Sequence, residues 1–236
     1  MRVVVSGLIA LVCAISAAAQ PFLNTSPAVD AKLASYFDVY TTEETIDARA
    51  ARAAGAGEKH VVVSRSMEGS FVAHVDPATL PASVNPVLLN GVANSDLVIK
   101  GIPLERRSLP NAKRTFLFSE YAVRVLSVLG DATNSVHPGD VIVVARPGGT
   151  LMVNNVFVRA TEPDAQLFHL DEPYYFLLMV IPAAGAFRAL GSGTFHLENG
   201  KAVVASRRRA ALEPARTESD FVNQLENAIA YTRKRR

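Results

Sequence analysis

The chain has 236 residues, 49% of them hydrophobic and 19% charged, with a formal net charge of +2. That balance excludes an intrinsically disordered chain, and the length fits one main domain with appendages. A single cysteine, Cys13, excludes disulfide-stapled scaffolds and thiolate metal sites.

Met1–Gln20 reads as a secretory signal. Arg2 supplies the positive start, Val3 to Ala14 the apolar run, and Ala17-Ala18-Ala19 the small residues that a signal peptidase accepts. Cleavage is expected before Gln20, removing residues 1–19. The apolar run is shorter than the about 20 residues of a membrane span, so no transmembrane segment is expected after removal. The mature chain then has no cysteine, which fits an exported bacterial protein, periplasmic or secreted. Asn24-Thr25-Ser26 has the form of a glycosylation acceptor, but Pro27 follows and the match is read as chance.

Residues 20–59 are expected to form a helical N-terminal segment. Ser26 caps a first helix with Pro27 at its first position, and Val29, Leu33, Phe37 and Tyr40 recur at helical spacing. Thr41-Thr42-Glu43-Glu44 resembles the capping box of a second helix, which ends at Gly55-Ala56-Gly57 and carries Arg49 and Arg52 on a solvated face. Residues 60–95 read as hairpin and linker. His60 to Val75 form the hairpin around Glu68-Gly69, Pro77, Pro81 and Pro86 mark the linker, and a short helix runs from Pro86 to Ala93.

Residues 96–205 are expected to be the β domain. Strand Asp96–Pro103 leads through a polar loop, Glu105–Arg114, into the longest strand, Thr115–Leu129, closed by Gly130-Asp131. Within that strand the apolar alternation changes phase, from Phe116 and Phe118 to Tyr121, Val123 and Val125. Either both faces are buried at one end, or a bulge near Ser119–Glu120 resets the face. His137-Pro138-Gly139-Asp140 is a turn, Val141–Ala145 a strand, and Pro147-Gly148-Gly149 another turn. Leu151–Val153 and Val156–Val158 flank a hairpin at Asn154-Asn155. Tyr174–Ile181 reads as a central strand, Ala186–Ala189 and Thr194–Leu197 as short ones, and Asn199-Gly200 as a hairpin turn into Lys201–Ala205. Short strands at such intervals predict a mainly β fold: a small OB-like antiparallel barrel.

Residues 206–236 are a basic linker and an amphipathic C-terminal helix, capped by Thr217-Glu218-Ser219-Asp220 and with Phe221, Leu225 and Ile229 on one face. Without Arg2 the chain carries 23 basic and 22 acidic residues. Arg207, Arg208, Arg209, Arg233, Lys234, Arg235 and Arg236 account for seven of the basic ones, leaving 16 against 22 elsewhere. These seven are the candidate for binding an anionic membrane face, lipopolysaccharide or an acidic partner.

From Asp96 to Val204 the order SDLVIKG, SEYAVRVLSVL, HPGDVIVVARPGG, EPYYFLLM, FHLENGKAV resembles the β-barrel domain of many uncharacterised exported bacterial proteins. That domain is in turn distantly similar to the OB-type barrel of tissue inhibitors of metalloproteinases and netrin-like modules. The resemblance covers a little under half the chain and implies a barrel. The inhibitors of that class act through an N-terminal cysteine, which the mature chain lacks, so it transfers no functional residue.

Catalytic signatures are sparse. His60, His74, His137, His169 and His196 are scattered, and no metal site or cofactor is expected. Gly191-Ser192-Gly193 lacks the form of a nucleophile elbow and reads as a flexible turn. Pro147-Gly148-Gly149 lacks the lysine of a phosphate loop. His169, Asp171 and Asp140 are the residues a hydrolase would use. Tyr174, Tyr175 and Phe176 read as core before stacking platform, and export argues against a nucleic-acid partner. The sequence therefore points to a non-catalytic exported binding module with a protein or anionic envelope partner, its loops Glu105–Arg114 and Asn134–Asp140 being the binding elements. The alternatives are an exported enzyme and a protein anchored by its basic tail.

Overall fold

The computed structural model describes residues 23, 25–65, 81, 84–163, 165–199, 201–204 and 217–234. The signal at 1–19, Asn24, the return strand expected at Ser70–Val75, and Arg207, Arg208, Arg209, Arg235 and Arg236 lie outside the described residues. No helix among the described residues is long and apolar enough to cross a membrane.

The fold is mainly β, with helices at its N-terminal side and one at its C-terminus. Helix α1, Pro27–Tyr36, starts where Ser26 Oγ accepts from the Val29 amide, and runs into a 3-10 turn, Phe37–Tyr40. Helix α2, Ile46–Gly55, is capped by Thr45, not by the box expected at Thr41–Glu44. Thr42 instead donates to the Thr115 carbonyl, and Glu44 pairs with Arg49 and Arg52. Strand β1, His60–Ser64, follows. Helix α3, Pro86–Ala93, is capped by Asn85, whose Oδ1 accepts from the Val87 and Leu88 amides.

Strands β2 (Leu97–Pro110), β3 (Leu117–Asp131), β4 (Val141–Pro147), β5 (Gly149–Val153), β6 (Val156–Thr161), β7 (Tyr174–Ile181), β8 (Ala186–Glu198) and β9 (Lys201–Val204) come next, and α4, Glu218–Arg233, ends the order. One sheet runs β4-β3-β2-β7-β8-β9. A pairing of β4 with β8 turns its first five strands into a partly closed ring of the OB type. The seam is parallel and short, joining Val144 to Phe187 and Ala145 to Arg188, so the barrel is not purely antiparallel as expected.

Two other expectations change. The polar loop at Glu105–Arg114 is mostly strand: β2 continues to Pro110, paired residue for residue with Leu117–Ala122 of β3. Ala186–Ala189 and Thr194–Leu197 are one strand, in which Leu190 to Gly193 bulge opposite Leu177. A Cβ on Gly193 would lie 2.9 Å from the Leu177 Cβ, so the bulge needs glycine there.

The phase change in β3 reflects burial of both faces. Leu117–Val123 are all buried, and pairing is unbroken at Ser119 and Glu120. Phe118 faces the N-terminal helices, whereas Tyr121, Val123 and Val125 face the ring interior. The bulges lie elsewhere: Leu104 is skipped on β2, and Leu126 and Leu129 on β3.

The ring interior is filled by Leu97, Tyr121, Val144, Phe168, Tyr174 and Phe176 among others. Tyr174 and Phe176 thus point inward, and Tyr175 outward onto Phe221 of α4, so the triplet is core. A second core lies under α3 and α4, built from Leu88, Leu177, Phe195, Phe221 and Leu225. Glu218, at the start of α4, accepts from both Lys100 Nζ and the Tyr175 hydroxyl at 2.6 Å. The Lys100 contact, then the Tyr175 one, holds this carboxyl below its ordinary 4.5. Its stabilising effect is present above that value and is lost as pH falls through the lowered folded value. Glu218→Gln is expected to flatten this part of the acid limb, read from thermal midpoints between about pH 6 and about pH 2; an unchanged limb would remove Glu218 as its cause.

Candidate functional site

β4 leaves the ring at Pro147 and turns at Gly148, whose φ of 98° suits glycine. A Cβ on Gly149 would lie 2.6 Å from Ser108 Oγ and 2.8 Å from Ser119 Oγ, so only glycine lets the chain cross β2 and β3 here. Gly149→Val is expected to cost about 1–3 kcal/mol by overpacking, measured by denaturant titration; a wild-type midpoint would refute the close crossing.

β5 then pairs antiparallel with β6 across Asn154 and Asn155, both at positive φ as the hairpin requires. β1 pairs parallel with β6, making a second sheet in the order β1-β6-β5. The alternation in VFVRAT sorts its two faces. Val63, Val156, Val158 and Ala160 point in, against Ala50 and Ala53 of α2. His60, Val62, Thr150, Met152, Phe157 and Arg159 point out.

The outward face is apolar at its centre. Val62 is 64% exposed, Met152 49% and Phe157 44%, three of the seven large hydrophobic side chains left open among the described residues. The His60 ring stacks on Phe157 at 5.6 Å and 10°. His60, Val62, Thr150, Phe157, Arg159 and Leu167 line an open depression of about 470 Å³. No residue of β1, β5 or β6 is acidic. Arg159 and the neighbouring Lys59 are exposed and make no ion pair among the described residues.

The predicted residues fall elsewhere. Arg233 and Lys234 are exposed at the end of α4. Arg233 borders a polar depression of about 290 Å³ with Asn134 and His137, so the tail and the Asn134–Asp140 loop are neighbours. Asp131 beneath them is engaged by the Thr133, Ser135 and Val136 amides. Asp140 accepts from the His137 amide within its turn. Asp171 sits in another turn at φ 63°, its amide on the Pro103 carbonyl, and His169 donates its amide to the Tyr174 hydroxyl. Among the described residues no contact joins Asp140 to His169 or Asp171, and no three His, Cys, Asp or Glu side chains converge as metal ligands. His196 reaches Glu198 at 2.7 Å, and His74 lies outside the described residues.

Two buried charges carried no local sequence signal. Arg146 is wholly buried with its guanidinium 4.6 Å from the Phe168 ring centre, and burial pulls it down to about 10. Glu120, also wholly buried, accepts from Arg107 Nε at 2.6 Å, and Arg107 donates in turn to Thr25 and Asp30. The Glu120 cluster joins the ring to the N-terminal segment, and neither Arg146 nor Glu120 lines a described depression. The outer face of the β1-β6-β5 sheet, open and apolar at its centre, is therefore the candidate site. No protein-family model matches the chain, and no curated protein matches it.

Proposed function

We propose that the protein is an exported, non-catalytic β-barrel module that binds another envelope or secreted macromolecule through the outer face of the β1-β6-β5 sheet. The observation that carries this reading is the open stripe of Val62, Phe157 and Met152 on a sheet whose other face is packed against α2. The filled ring interior supports a scaffold role, since an enzyme site needs a concave pocket with convergent polar groups. The leader-like Met1–Gln20 supports export, and the ring supports the distant likeness to netrin-like barrels.

The test is affinity capture from an envelope extract, read by mass spectrometry. The baits are Gln20–Arg236 and the same chain carrying Phe157→Asp with Met152→Asp. One partner held by the first bait and lost from the second is expected; capture by both would overturn the assignment of the face. Ending the chain at Ser206 is not a usable control, because it would strip Phe221 and Leu225 from the second core.

A second reading is supported by the exposed Arg233 and Lys234 beside His137, namely that the tail holds the protein to an anionic surface. It predicts salt-sensitive binding to vesicles containing anionic phospholipid, weakened by Arg233→Glu with Lys234→Glu. Binding unchanged by salt and by these substitutions would sink it.

A further inference from the structure

β1 is the edge of its sheet: β6 pairs with one side of it, and no strand among the described residues pairs with the other. In a parallel ladder, alternate residues bond to the same neighbour. The Lys59 carbonyl and the Arg65 amide both bond to β6, which assigns the odd-numbered residues to that side. The amides and carbonyls of His60, Val62 and Ser64 therefore face the open edge, and no hydrogen bond engages them among the described residues. The sequence HVVVS has no proline and no charged residue to block pairing, the usual protections of an edge strand.

The chemistry beside that edge is one-sided. Arg159 projects from the strand next to β1, Lys59 precedes it, and no acidic residue lies on the sheet. The nearest carboxylates in sequence, Glu58 and the buried Glu162, lie outside the three strands. Val62, Phe157 and Arg159 line the same depression.

We propose that the partner is an extended peptide carrying apolar and acidic side chains two residues apart, hence on one face, which adds as a fourth strand to the open edge of β1. Its main chain pairs with His60, Val62 and Ser64, its apolar side chains cover Val62 and reach toward Phe157, and its carboxylates on that same face meet Arg159. This inference rests on the binding-module reading and narrows it to one class of partner.

The probes are a short synthetic peptide whose one face alternates valine with glutamate and whose other face is threonine throughout, and its counterpart with lysine in place of glutamate. Each is titrated by fluorescence anisotropy against the chain Gln20–Arg236 and its variants. Val62→Pro removes an amide that faces the open edge and leaves the β6 ladder intact. Arg159→Glu reverses the charge, and Leu126→Asp, on an exposed position of β3, is the control. The glutamate peptide is expected to bind the parent and the control, roughly tenfold more weakly to Val62→Pro and Arg159→Glu, and less well as salt rises. Should Val62→Pro lose its circular dichroism signature, Arg159→Glu alone decides.

Equal affinity for both peptides, or affinity untouched by Val62→Pro and Arg159→Glu, would overturn the proposal. So would a parent that binds neither peptide and sediments as a dimer that Val62→Pro dissociates, since the edge then takes a second copy. A parent that binds only after Phe71→Lys would assign the edge to the chain's own residues 66–80, again against the proposal. If neither peptide binds while envelope capture is lost on Phe157→Asp with Met152→Asp, the peptide class falls and the module stands. If that capture also survives, both fall.

Discussion

Replacing Arg107 with alanine is expected to destabilise the protein by about 3 kcal/mol at neutral pH, and by much less in acid. Glu120 is wholly buried, and its Oε1 has no hydrogen-bond partner among the described residues. Burial pushes its carboxyl above the ordinary 4.5, while the bond and charge of Arg107 pull the other way. Without Arg107 the upward push is unopposed, and the folded protein takes up a proton that the unfolded chain releases. For such a raised carboxyl, stability is greatest below the unfolded value and declines as pH rises through the folded one. The deficit of Arg107→Ala should therefore shrink on acidification toward about pH 4, in denaturant titrations at several pH values. Adding Glu120→Leu should recover most of the loss at neutral pH, because the uncompensated charge is gone. A deficit that is flat with pH, or no recovery in the double variant, would contradict a buried ionised Glu120. The same guanidinium donates to Thr25 and Asp30, so Arg107→Ala should also speed proteolysis around α1.

Phe118→Ala should cost about 3–5 kcal/mol, the range for removing a large buried aromatic. Its ring has no exposed surface and lies 4.7 Å from that of Phe37, with the planes 8° apart. Tyr40 stacks on Phe116 beside it, at 5.4 Å. These rings join the 3-10 turn to β3, so truncation opens a cavity between the helical segment and the ring and cannot be relieved by one side chain moving. Leu126→Ala, 41% exposed on the same strand, should change stability by less than about 0.5 kcal/mol. Equal midpoints for the two variants would mean that the N-terminal helices are not fastened through Phe118.

The sequence was most legible where burial is local and two-sided. YYFLLMVI could be read as a central strand because every second residue already demanded a core on each face. Ser26-Pro27 and Asn154-Asn155 were readable because capping and positive φ are chemistry of the residues themselves. The extension of β2 through ERRSLP was not, since those residues are polar and become strand only because β3 is long enough to pair with them. Gly191 to Gly193 looked like a break for a similar reason: two glycines mark a turn or a bulge, and Leu177 on the opposing strand decides between them. The two parallel pairings, β4 with β8 and β1 with β6, unite segments far apart in sequence and leave no short-range pattern. The open face was half visible. Val-Phe-Val-Arg announces alternation, but which parity stays in solvent is settled by α2, which covers Val156 and Val158 and leaves Phe157 and Arg159 uncovered.

That division of β6 bears on how such a protein can change over generations. Residues whose side chains share no neighbours have nearly additive effects, and opposite faces of one strand meet this condition. Val156, Val158 and Ala160 are bound to the folding of the N-terminal segment, while Phe157, stacked on His60, and Arg159 lie outside that buried cluster. A lineage could replace the outward set one residue at a time without passing through an unfolded intermediate. The ring, the helices and the glycine crossing at Gly149 would persist beneath a face free to diverge.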